Sequence, residues 1–160
     1  MNEVKIVAEE GKQELFIYRE FDAPRELVFK AFTDPKLVAK WMGPKDMTIE
    51  FDYLVEGSGG KYRFINEDQQ GNKYHFQGVV HEETAPERII RTFEFEGMPE
   101  RGHVALETAL FEELPNGRTK AIMQSVFRSV EDRDGMVMSG MERGVKDGFE
   151  KLDELLKKML

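Results

Sequence analysis

Ser129–Met159 reads SVEDRDGMVMSGMERGVKDGFEKLDELLKKM. Within it Val137, Met138, Met141, Val145, Phe149, Leu152, Leu155, Leu156 and Met159 fall on one broad apolar stripe at helical spacing. The opposite face carries Glu142, Arg143, Lys146, Asp147, Glu150, Lys151, Glu154 and Lys157. A helix divided this way covers a face of a sheet. The pattern predicts one long C-terminal helix over about 132–158, and Ser129 with Asp132 has the spacing of a capping box. Gly140, Gly144 and Gly148 recur at four-residue intervals along it. Each costs about 1 kcal/mol relative to alanine in a helix interior, so a steric reason is expected. Close approach of the helix to the sheet rim is favoured over direct contact with a ligand.

Working upstream from that helix, the punctuation is that of strands. Stretches 47–55, 61–66, 73–83, 88–96, 103–113 and 118–127 are rich in β-branched and aromatic residues. They are separated by turn sequences such as Glu56-Gly57-Ser58-Gly59-Gly60, Asp68-Gln69-Gln70-Gly71-Asn72 and Leu114-Pro115-Asn116-Gly117. Six consecutive strands at hairpin spacing predict an antiparallel meander. At the front of the chain, 3–8 and 14–21 alternate with period two and predict two further strands. Between the two groups, Asp22-Ala23-Pro24 and Thr33-Asp34-Pro35 each introduce a short helix, at about 24–32 and 35–41, and Gly43-Pro44 ends the second. The predicted class is α+β, with a curved antiparallel sheet wrapped around the long C-terminal helix. A cavity is the natural product of that shape.

Composition bounds the partners. The chain has 160 residues and 40% hydrophobic content, enough for one domain spanning 1–160, and its formal charge is −8. An acidic balance spread along the chain argues against nucleic acid and against anionic membrane surfaces as partners. Cysteine is absent, which removes disulfides, thiolate metal sites and cysteine nucleophiles. The first residues hold no cationic segment followed by an apolar run, so an unprocessed cytoplasmic protein is expected. His75, His81 and His103 supply no recognised ligand set, and no metal or other cofactor is expected.

The stretches Arg19-Glu20-Phe21-Asp22-Ala23-Pro24-Arg25-Glu26-Leu27-Val28-Phe29, Phe32-Thr33-Asp34-Pro35 and Trp41-Met42-Gly43-Pro44 resemble the opening signature of the START-like (SRPBCC, helix-grip) superfamily. Gly59-Gly60-Lys61-Tyr62-Arg63-Phe64, Pro86-Glu87-Arg88-Ile89-Ile90, Gly117-Arg118-Thr119-Lys120 and Ser139-Gly140-Met141-Glu142 extend the match over nearly the whole chain. Within the superfamily the sequence is similar to the branch named after the activator of the ninety-kilodalton heat-shock chaperone's ATPase. The resemblance implies the Bet v-like, helix-grip fold and an apolar ligand (lipid-, polyketide- or aromatic-like) held between sheet and C-terminal helix. It also implies two other roles: a chaperone-associated interaction module with a heat-shock chaperone as partner, or a cyclase- or hydrolase-type enzyme.

Strand parity nominates the site. On 88–96 the inward face is Ile89, Arg91, Phe93 and Phe95. On 103–113 parity is ambiguous. Val104, Leu106, Thr108 and Leu110 are more apolar, whereas the family register turns Ala105, Glu107, Ala109 and Phe111 inward. In that register Arg91 and Glu107 project inside from adjacent strands and pair with each other or with a polar ligand group. The expected apolar contacts are Trp41, Phe64, Phe93, Phe111, Met123, Met141, Val145 and Phe149, with Tyr62, Arg63, Arg91 and Glu107 orienting the ligand. Were the protein an enzyme, Glu107 would serve as acid or base with Arg91 as its electrostatic partner. No other catalytic residues are expected.

Overall fold

Alternation decides which side of each strand is dry. In the computed structural model, which describes residues 2–160, Leu15, Ile17, Arg19 and Phe21 of β2 (Glu14–Phe21) are all buried and point to one face. Seven further strands join it: β1 (Lys5–Val7), β3 (Thr48–Leu54), β4 (Lys61–Glu67), β5 (Lys73–Thr84), β6 (Arg88–Phe95), β7 (Val104–Leu114) and β8 (Arg118–Val126). They form one curved antiparallel sheet in the order β1-β2-β8-β7-β6-β5-β4-β3. The meander β3–β8 thus closes onto the N-terminal hairpin. The chain must then cross from β2 to the far edge strand β3, and the helices α1 (Arg25–Thr33) and α2 (Pro35–Trp41) make that crossing. Asp34 ends α1 and caps α2, its carboxylate accepting from the Lys36 amide at 3.0 Å.

The predicted single helix over 132–158 is two helices, α3 (Val130–Met138) and α4 (Met141–Met159). Gly140 adopts φ 86°, a left-handed conformation that costs other residues about 1–2 kcal/mol, and the chain turns there. Half of the expected capping box forms. Ser129 Oγ accepts from the Asp132 amide at 3.0 Å, while the Asp132 carboxylate turns to His103 Nδ1 at 2.9 Å. The other two glycines of the series serve α2. A Cβ on Gly148 would lie 3.2 Å from the Trp41 carbonyl oxygen and one on Gly144 3.5 Å from Pro44. The close approach is therefore to the end of α2 and the loop after it, where the sheet rim had been expected.

Two apolar clusters share the inner face. The larger holds Phe21, Val28, Phe29, Trp41, Phe111, Phe149, Leu152 and Leu156, with Phe32 packed against it. Burial stabilises it by about 1.5–3 kcal/mol per large side chain. Its rings meet edge to face, Phe21 with Phe149 at 5.4 Å and Phe32 with Phe111 at 5.1 Å. The smaller cluster lies toward the β3 edge and centres on Tyr62, Phe64 and Val80, with Phe51, Phe76 and Phe93 against it. Among the described residues, no helix is long and apolar enough to cross a membrane.

Candidate functional site

The register of β6 and β7 settles the parity left open by the sequence. Arg91 lies directly opposite Glu107 and Phe93 opposite Ala105. Ala105 and Phe111 are buried, whereas Leu106 and Leu110 face solvent. A strand chooses the face that buries its largest rings, and Phe111 fills the space beside Phe29 and Phe32. Glu107 is thereby carried to the inner face. Its Oε1 accepts from Arg91 Nε at 3.4 Å and its Oε2 from Ser125 Oγ at 3.2 Å. The Arg91 guanidinium also lies over the Tyr62 ring, 5.2 Å from its centroid.

Tyr62 is held in place from the neighbouring strands. Its partner in the ladder is Gly78, where a Cβ would strike the Tyr62 ring and the Thr92 carbonyl oxygen. The missing side chain lets the ring lie across β5 and donate its hydroxyl hydrogen to that carbonyl. Burial pushes the Tyr62 hydroxyl pKa up, the nearby Arg91 charge opposing the shift and Glu107 adding to it. The phenol therefore stays neutral. At Arg91 burial disfavours the charge, but the Glu107 carboxylate opposite it favours the charged form and the guanidinium stays protonated.

A cavity of about 30 Å³ opens beside this group. That is room for one or two water molecules. Its walls include Phe32 and Val38 from α1 and α2, Phe51 and Leu54 from β3, Phe64 from β4 and Val80 from β5, with Arg91 and Glu83 as the charged groups. None of its lining residues belongs to α4. The sequence placed the space beneath the C-terminal helix. In the structure the α4 side chains Phe149, Leu152 and Leu156 are buried in the larger cluster, and Ala121 of β8 is fully enclosed by it.

The nominated residues divide accordingly. Tyr62, Phe64 and Arg91 line the cavity, and Glu107 touches it through Arg91. Phe93 packs against the smaller cluster without lining the cavity. Trp41, Phe111 and Phe149 are core residues. The indole Nε1 of Trp41 donates to the Ala31 carbonyl oxygen at 2.9 Å, and its ring stands 4.9 Å from Phe32. Met123, Met141 and Val145 are partly buried against the same core. Arg63 is corrected outright. It follows Tyr62 on the strand and so faces the outer side, donating to Glu96 at 2.8 and 3.0 Å and to Asp52 at 2.8 Å. These carboxylates raise its pKa further and leave it no role inside.

Nine of the twelve lining residues lie outside the site expected from the sequence, Phe51, Leu54, Val80 and Glu83 among them. The alternation in 47–55 would have placed Phe51 and Tyr53 on one face. A bulge between Phe51 and Tyr53 shifts the register, so Leu54 faces Tyr62. A second bulge, between Val80 and Glu82, does the same to β5. Bulges leave little trace in one sequence.

Similar structures share this architecture from end to end. A crystal structure from Rhodobacter sphaeroides is 23% identical, covers 98% of this chain and 99% of its own, and superposes with a TM-score of 0.84. One from Mycobacterium smegmatis is 21% identical over 96% and 97%, with a TM-score of 0.85. A protein from Silicibacter pomeroyi titled AHSA1 is 21% identical over 92% and 99%, with a TM-score of 0.74. At such identities the likeness concerns the fold alone. No curated protein matches the chain. Residues 22–157, from the turn before α1 to the last turn of α4, match the family described as Activator of Hsp90 ATPase homolog 1-like protein, and the chain belongs to that family.

Proposed function

We propose that this protein binds a small, largely apolar molecule in the cavity between α1–α2 and strands β3–β6. The observation that carries the reading is Arg91, paired with Glu107 behind it and set with Glu83 in a wall that is mostly apolar. A partly desolvated ion pair stabilises a fold poorly, because desolvation offsets the Coulomb attraction, and apolar residues of similar volume often do better. A polar pair aimed at a cavity is what a binding site uses to orient its ligand. The cavity as it stands is too small for such a ligand, so binding requires the β3 edge to move outward. That edge is suited to move: β3 pairs on one side only, and Val55 beside it is 50% exposed. The turn behind it is tethered by the Gly57 amide donating to Glu83 Oε1 at 3.0 Å. A cytoplasmic location accords with the cysteine-free sequence.

An NMR titration with small apolar compounds tests this. Shifts are expected at Phe51, Tyr62, Phe64 and Arg91. Shifts confined to the charged outer face of α4 would refute it. The family's name favours a second reading, an interaction module that stimulates a heat-shock chaperone's ATPase. Chaperone turnover with and without this protein separates the two, since a metabolite-binding protein leaves it unchanged.

A further inference from the structure

Resting on the binding function above, we propose that the cavity selects a neutral ligand carrying a hydrogen-bond acceptor, such as a ketone or ester oxygen, and rejects a carboxylate on the same skeleton. Arg91 is the donor to that acceptor, and Glu107 with Glu83 enforces the charge selection.

The first observation is the free edge of Arg91. Its Nε faces Glu107 Oε1 at 3.4 Å, and among the described residues its two terminal nitrogens donate to no group. Arg91 lines the cavity, so these N–H groups are the polar donors left over for a guest. Tyr62 offers none, because its hydroxyl hydrogen is committed to the Thr92 carbonyl oxygen. The Glu83 carboxylate lines the same cavity and already accepts from the Gly57 amide.

The second observation is the local charge. One guanidinium stands with two carboxylates, Glu107 opposite it in the ladder and Glu83 at the wall, which leaves a net charge of +1 − 2 = −1 around the cavity. An incoming carboxylate would raise that to −2 in a poorly solvated space. At the terminal nitrogens of Arg91 it would be a third carboxylate, beside Glu107 and Glu83, sharing one guanidinium. Leaving a carboxylate with so little compensation is costly. A carbonyl oxygen accepts from the terminal nitrogens and leaves the Arg91–Glu107 pair intact. An apolar molecule without an acceptor would cover those donors and leave them unpaired.

Three matched probes on the full-length protein test this by NMR titration at neutral pH: 2-acetylnaphthalene, 2-naphthoate and naphthalene. The ketone should bind tightest and shift Tyr62, Phe64 and Arg91, with 2-naphthoate weaker by about tenfold or more. Naphthalene should also bind more weakly than the ketone. Glu107→Gln should raise the affinity for 2-naphthoate toward that for the ketone. Glu83→Gln, in the cavity wall, should do the same and serves if the first variant folds poorly. Equal or tighter binding of 2-naphthoate by the unaltered protein would overturn the charge selection. Equal binding of naphthalene and the ketone would overturn the role of Arg91. If none of the three shifts cavity residues, the binding function falls, and this inference with it.

Discussion

Replacing Arg91 and Glu107, singly and together, tests whether the pair is held for stability or for a ligand. The two side chains are each 27% exposed and meet through one 3.4 Å contact, a position between a surface pair, worth at most about 1 kcal/mol, and a sealed one, whose disruption costs about 3–5 kcal/mol. Glu107→Leu removes the carboxylate and leaves the guanidinium with the Tyr62 ring and the cavity, an expected loss of about 2 kcal/mol. Arg91→Met strands the carboxylate with Ser125 and should cost about as much. In the double variant neither charge of the pair is left, and apolar side chains stand between the Tyr62 ring and the Ser125 hydroxyl. Its stability should lie within about 1 kcal/mol of the parent or above it, a coupling of about 3 kcal/mol or more. For a chain of this length each single variant then melts about 4–8 °C lower and the double variant returns most of that. Urea unfolding followed by Trp41 fluorescence reads the series directly, since Trp41 is the chain's one tryptophan and lies buried in the core. A double variant that loses the sum of the two single losses would show no coupling between Arg91 and Glu107, each stabilising the fold independently of the other. Retention of the pair for a ligand would then be refuted.

Alanine at the three helix glycines should rank by their surroundings: Gly144→Ala gains about 1 kcal/mol, because its new Cβ makes only ordinary contact with Pro44, and Gly148→Ala gains less against the Trp41 carbonyl oxygen at 3.2 Å. Gly140→Ala loses about 1–2 kcal/mol because of its left-handed φ of 86°; urea midpoints in any other order refute the assignment. Thr119→Val should cost about 1–3 kcal/mol, since the fully buried hydroxyl donates to the Ala23 carbonyl oxygen at 2.6 Å and the valine leaves that carbonyl without a partner; an unchanged unfolding midpoint would contradict it. The hydrogen bond to Asp132 raises the pKa of His103 above its ordinary value. Its contribution to stability is therefore complete below the unfolded-state pKa of about 6.5 and is lost as pH rises through the raised folded-state value. Asp132→Asn should flatten the stability profile across that window, and an NMR titration of His103 that reports no raised pKa would remove the basis for this.

Local chemistry alone determined the kinds of element and their order. Period-two runs between glycine- and proline-bearing turns specify the strands, Pro24 and Pro35 open two short helices, and the stripe from Met141 to Met159 specifies an amphipathic helix. All of these are encoded within a few residues of where they act. The resemblance added the register that turns Glu107 inward, which the apolar pattern of β7 by itself argues against. Three matters were settled only by tertiary contact. The helix breaks at Gly140 because α3 and α4 pack on different partners, and a glycine in a helical pattern does not announce a left-handed turn. Arg63 leaves the site because Tyr62 and Phe64 pack with Val80 from β5, and alternation then sends the residue between them to the outer face. The cavity lies under α1 and α2, away from α4, because the volume expected beneath the long helix is filled by Phe21, Phe111 and Phe149 from three distant parts of the chain. Where space remains depends on the sum of those volumes and on two bulges that shift β3 and β5 by a residue, and such long-range accounting is invisible to any local reading of the sequence.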